Sequence, residues 1–181
     1  MLKKLLLFVL LLLVVFVVVV SLQPSTYRVV RTATIAAPPE AVFARVNDFR
    51  KWDGWSPWKE LDLNAVYTYE GPESGKGALT TWKGNSDIGA GRMTILESRP
   101  AELIRIQLEF TEPFASQADT EFKFTPEGEG TRVEWAMSGE NNFISKAFML
   151  FMGGMDKAVG GDFEKGLAKL KTVAEKPGAG Q

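Results

Sequence analysis

Leu5 to Val20 is an unbroken run of sixteen Leu, Val and Phe residues, with Lys3 and Lys4 before it and Ser21 and Leu22 after it. No other feature constrains the chain as strongly, because a helix that is apolar all round has no face to show to water. From Leu5 to Leu22 such a helix is about 27 Å long at about 1.5 Å per residue, close to the ~30 Å hydrocarbon thickness of a bilayer. A secretory signal has a shorter apolar stretch of about 7–15 residues and then a small-x-small cleavage site. Here the best such site is Ser21 preceded by Val19. The run therefore reads as an uncleaved transmembrane anchor, residues 1–23, rather than as a removed signal. Lys3 and Lys4 favour an N-terminus in the cytoplasm, and Arg28 and Arg31 soon after the run keep that bias slight. The expected place is the cell membrane, single-pass, with the following domain outside the cytoplasm.

That domain must work without two common reagents, since the 181 residues include no His and no Cys. Disulfides, thiolate nucleophiles, Cys-based metal sites and lipid attachment through Cys are excluded, as are an imidazole base and His metal ligands. Any catalysis would have to use carboxylates, Lys, Tyr, Ser/Thr or backbone dipoles. Basic and acidic residues nearly balance, 21 against 22, and two of the basic ones precede the apolar run. No Lys/Arg block longer than two follows Pro24, so nucleic acid is not expected as a partner.

From Pro24 the chain alternates between two periods. Tyr27 to Ile35 is rich in β-branched residues and predicts a strand. Pro38 and Pro39 then open a short helix with Val42 and Val46 on its buried side. Phe49 to Trp58 is too punctuated by Gly54 and Pro57 for a long helix. Strands are predicted over 66–69, 78–82, 92–97, 103–110, 117–125 and 131–137. In the clearest, Ile104, Ile106, Leu108 and Phe110 alternate with Arg105, Gln107 and Glu109, so one face is dry and the other wet. The last three strands, joined by short turns, predict an antiparallel meander. After Asn142 the period becomes helical, with Phe163, Leu167, Leu170 and Ala174 in line. Gly153-Gly154 and Gly160-Gly161 are both candidate breaks. The order predicts an α+β fold in which a curved antiparallel sheet wraps a long C-terminal helix, preceded by one transmembrane helix. Residues 24–176 form the domain, and 177–181 a disordered tail.

Several segments together, Thr32 to Val46 (TATIAAPPEAVFARV), Phe49 to Trp58 (FRKWDGWSPW), Gly77 to Asn85 (GALTTWKGN), Gly89 to Glu97 (GAGRMTILE) and Phe163 to Glu175 (FEKGLAKLKTVAE), resemble the SRPBCC or START-like helix-grip superfamily. The likeness is to its polyketide-cyclase-like bacterial members and runs from Tyr27 to Glu175. These motifs are structural, so the resemblance implies a helix-grip fold and a cavity between sheet and helix that takes lipids, sterols or polyketides. It carries over no catalytic residue.

Other motifs yield less. Ser56-Pro-Trp-Lys59 has the Ser-x-x-Lys spacing of a known nucleophile, but Pro57 disfavours the helix it needs and the companion motifs are missing. Gly71 to Gly77 (GPESGKG) is too short for a phosphate loop and reads as a hairpin loop. Asp53, Glu60 and Asp62 flank a Trp cluster and read as solvated or capping loop charges. No catalytic residue, metal ligand or cofactor is assigned. The aromatic and Met distribution carries more: three of the five Trp lie between Trp52 and Trp58, and Met suits adaptable apolar surfaces. Candidate cavity-wall residues are Trp55, Trp82, Leu108, Phe110 and Phe114 from the turn and strands. Trp135, Met137, Phe148, Met152 and Met155 complete the set. The expected function is a membrane-tethered, monomeric domain that binds a hydrophobic small molecule or lipid and is not an enzyme. The alternatives are a cyclase- or hydrolase-type enzyme using carboxylates, and an interaction domain without a ligand.

Overall fold

The apolar run forms α1, Leu2–Ser21, a helix long and apolar enough to cross a membrane. It meets the rest of the chain near its C-terminal end, where Phe16 reaches Phe151, and Val20 is its one buried residue. The computed structural model describes residues 1–176, so the tail expected over 177–181 lies outside the described residues. After a four-residue linker come β1 (Thr26–Ile35), α2 (Pro39–Val46) and two 3₁₀ turns, Phe49–Gly54 and Pro57–Glu60. Pro39 sits in the first turn of α2, where its missing N–H would have no partner in any case. The Asp48 side chain accepts from the Arg50 N–H at 2.9 Å and starts the first 3₁₀ turn.

Six strands follow: β2 (Val66–Glu70), β3 (Leu79–Lys83), β4 (Ala90–Arg99), β5 (Leu103–Glu112), β6 (Ser116–Glu127) and β7 (Gly130–Glu140). With β1 they make a seven-stranded antiparallel sheet in the order β1-β7-β6-β5-β4-β3-β2. The last three strands form the expected meander, and β1 closes against β7 with Val29 opposite Met137. Irregularities between Ala90 and Gly91 and between Ile95 and Glu97 interrupt the β4–β5 ladder, a local kink that sharpens twist and curvature. The predicted alternation is realised. Ala118, Thr120, Phe122 and Phe124 are all buried, while on the other face Arg105 pairs with Glu121 and Glu97 at 2.9 and 3.1 Å.

Asn142 caps α3 (Phe143–Met152) by accepting from the Ser145 N–H at 2.8 Å, and Gly153 ends it in the left-handed conformation, φ 80°. Only the first of the two expected breaks is real. From Met155 to Ala174 the chain runs as one helix, α4, straight through Gly160-Gly161. Close approach explains a glycine there: a Cβ on Gly160 would overlap the Arg31 guanidinium, which reaches over α4 to Asp156 and Glu164 at 2.8 and 2.7 Å. Further along, Gly166 brings α4 against Trp135 in the same way. The core lies between the concave face of the sheet and α2, the two turns and α4, with Phe163, Leu167, Leu170 and Ala174 as the buried stripe of α4.

Candidate apolar cavity

The core does not fill the grip completely. A cavity of about 840 Å³ lies between the sheet and the helices. Its floor is built by strand alternation. Tyr27 on β1, Thr80 and Trp82 on β3, Met93 on β4, Leu108 and Phe110 on β5, Ala118 and Thr120 on β6, and Trp135 and Met137 on β7 all line it. Phe49, Trp52 and Trp58 from the turns, Met155, Val159 and Phe163 from α4, and one side of α3 supply the roof. Apolar atoms dominate this lining, the common character of a small-molecule site.

Aromatic packing fixes the walls. The Trp135 ring lies nearly parallel to Phe163, 4.0 Å and 9° apart, and stacks on Phe122 at 4.8 Å. Trp58 meets both Trp135 and Phe163 edge-on at 5.8 and 6.2 Å. Trp82 packs edge-on to Phe110 at 5.7 Å, and its indole N–H donates to the Ile88 carbonyl at 3.0 Å. Trp52 is held similarly, donating to the Val46 carbonyl at 2.9 Å.

Polar groups at the cavity are few. Thr80 Oγ1, Trp135 Nε1 and Asn141 Oδ1 belong to lining residues and are buried with no hydrogen-bond partner among the described residues. A buried unpaired group of this kind costs about 1–3 kcal/mol, so a ligand oxygen that reached Trp135 Nε1 would recover part of that. Lys59 lies over the Tyr67 ring, 3.1 Å from its centroid, and pairs with Asp53 at 2.5 Å. Burial raises the Tyr27 hydroxyl above its ordinary value, with the Asp119 charge adding to it, and burial raises Tyr67 with Asp53 adding. Both phenols therefore stay neutral donors at physiological pH. Ser56 lines the cavity, but Lys59 turns to Asp53 and Tyr67, so the Ser-x-x-Lys spacing builds no nucleophile. The other loop acids are engaged locally. Glu60 pairs with Lys169 at 2.6 Å, and Asp62 accepts from the Asn64 and Asn85 N–H groups. Among the described residues no group of three acids is placed to hold a metal.

Two of the candidate wall residues lie elsewhere. Trp55 is fully buried in the core, where its N–H donates to the Arg45 carbonyl at 3.1 Å and its ring meets Trp52, Phe122 and Trp135. Met152 does not reach the cavity and is 44% exposed at the end of α3. Trp82, Leu108, Phe110, Phe114, Trp135, Met137, Phe148 and Met155 do line it. Trp52 and Trp58 of the Trp cluster also line it, and the residues missed include Tyr27, Tyr67 and Met93. Tyr27 and Met93 share strand faces with buried Val29 and Ile95, so alternation alone could have found them.

A curved antiparallel sheet gripping a long C-terminal helix over an apolar cavity defines a helix-grip protein of the SRPBCC type. The polyketide cyclase/dehydrase and lipid transport family model matches residues 26–175, and the chain belongs to that family. No curated protein matches it in sequence. Solved structures of the same fold include protein CV1439 from Chromobacterium violaceum, 18% identical, covering 85% of this chain and 99% of that one, with a TM-score of 0.59. KanY is 19% identical, with 85% and 100% covered and a TM-score of 0.60. Protein MLL2253 from Mesorhizobium loti is 19% identical, with 81% and 95% covered and a TM-score of 0.55. At these identities the likeness is one of fold.

Proposed function

We propose that this protein is a membrane-tethered binding domain that holds a hydrophobic small molecule or lipid in the cavity between its sheet and α4. The cavity is the observation that carries the reading: about 840 Å³ of space, walled by Trp, Phe, Met and Leu side chains. Space of that size suits a ligand larger than a fragment, and its apolar walls favour one that water excludes. The family's description, which includes lipid transport, supports the same class of ligand. The length and composition of α1 support a tether that keeps the cavity beside a bilayer, where such molecules partition. Lys3 and Lys4 favour the domain lying outside the cytoplasm.

Native mass spectrometry of the full chain, extracted from membranes in mild detergent, tests the proposal. The expected spectrum shows an added mass at one ligand per chain, and the ligand released by solvent is a lipid or another apolar compound. A spectrum of bare protein, with nothing apolar released, would contradict it. Intact mass also tests retention of the anchor, since a mature chain starting near Leu22 would show that α1 had been removed.

A further inference from the structure

We infer that α3 and the tip of the β5–β6 hairpin sit in the headgroup–acyl boundary of the bilayer and form a mouth through which an apolar molecule passes between membrane and cavity without crossing water. This rests on reading α1 as a membrane span. Topology brings the parts together. The register pairs Thr26 with Glu140, Phe110 with Ser116 and Ala90 with Glu112, so the start of β1, the end of β7 and the β5–β6 tip share one end of the sheet. That is the end at which α1 joins. Leu22 to Ser25 is the whole linker, at most about 14 Å of extended chain. The same end holds the cavity mouth, lined by Phe114, Ile144, Phe148 and Phe151.

Depth and exposure agree with that placement. Phe16 of α1 touches Phe151 of α3, with ring centroids 6.4 Å apart. Phe16 lies five residues before the end of α1, about 7–8 Å along the helix. The whole apolar run after Lys3 and Lys4, about 27 Å long, is needed to cross about 30 Å of hydrocarbon, so Phe151 falls at the depth of about 5–10 Å typical of an interfacial helix. Phe151 is 79% exposed, Phe114 66%, Ile144 65% and Phe148 53%. No residue of α3 is buried, its one charge is Lys146, and the Lys146 ammonium donates to Ser25 Oγ at 3.0 Å. Large apolar side chains that line a cavity and also face outward mark a surface made for an apolar neighbour. A second copy could cover such a surface, but continuity with α1 favours the bilayer.

The chain has no Cys, so single thiols can be introduced one at a time and carry a nitroxide. Val9→Cys, Phe114→Cys, Phe151→Cys and Glu129→Cys, in the full chain in phosphatidylcholine–phosphatidylglycerol vesicles, report depth through accessibility to oxygen and to a water-soluble nickel chelate. Val9 is expected inside the hydrocarbon of the cytoplasmic leaflet, about 6 Å from the start of the apolar run, Phe114 and Phe151 about 5–10 Å below the phosphates of the other leaflet, and Glu129, at the far end of the sheet, in water. Val9 deep with Phe114 and Phe151 as wet as Glu129 would overturn the mouth and leave the span standing. Val9 in water would overturn both. Phe151 shielded from both reagents, with spin–spin broadening, would show a second copy on this face and overturn the mouth. Should the Phe151 variant lose its cooperative melt, Ile144→Cys reads the same surface.

Discussion

Strand alternation decides which side chains of the sheet reach the cavity, because a strand has only two faces. Once Ile104 and Ile106 are placed inward, Leu108 and Phe110 follow. Trp55 had no such rule, because the Gly- and Pro-interrupted stretch from Phe49 to Trp58 has no fixed period, and its ring turns into the core with its N–H on the Arg45 carbonyl. Close approach is equally invisible in sequence. Gly166 sits mid-helix, where Ala would ordinarily add about 1 kcal/mol of stability. Here a Cβ would press on the Trp135 ring and on Pro57, and the indole is stacked against Phe163 and cannot swing away. Gly166→Ala is expected to lower stability by about 1–3 kcal/mol through overpacking, measured by urea unfolding. A stabilised variant would show that α4 and β7 are less tightly docked than the contact implies.

At the scale of elements, the sequence pattern located all seven strands and the helical C-terminal region, but not which glycine pair breaks it. Gly153 takes a left-handed conformation with Gly154 beside it, while Gly160 serves as a saddle for Arg31. That distinction depends on a residue 129 positions away in the chain, which no local period encodes. The Arg31 contact joins β1 to α4 and has a pH signature. Hydrogen bonds from Arg31 hold the Asp156 carboxyl below its usual range, and hydrogen bonds from Lys171 and the Ala36 N–H do the same for Glu175, also on the α4 side. A carboxyl whose folded pKa is depressed adds stability that is complete above its unfolded pKa and is lost as pH falls through the folded one. The melting temperature is therefore expected to drop from about pH 5 downward. Arg31→Met should be less stable at neutral pH, with the gap to the parent narrowing in acid. A gap independent of pH would mean that Arg31 acts through packing alone.

On the scale of the whole molecule, α1 meets the domain toward its C-terminal end, through the Phe16–Phe151 contact and buried Val20. A chain beginning at Ser25 keeps every strand, α4 and the core. It is expected to be soluble and to melt in one cooperative step, since about 150 residues bury enough surface to fold alone. Broad, gradual melting would place part of the core's support in α1.

That shortened chain also allows the most direct test of whether the cavity is a binding site. Titration with an apolar fluorescent probe, followed by its own emission, should saturate at one probe per chain. Leu108 lines the cavity from β5, so Leu108→Trp should fill part of the space and weaken probe binding at least tenfold, at a cost of about 1–3 kcal/mol in stability. Met152→Trp, off the cavity, should leave the affinity unchanged. Equal affinity in the parent and in a folded Leu108→Trp variant would contradict the account, because the probe would then be binding somewhere other than the space between sheet and helix.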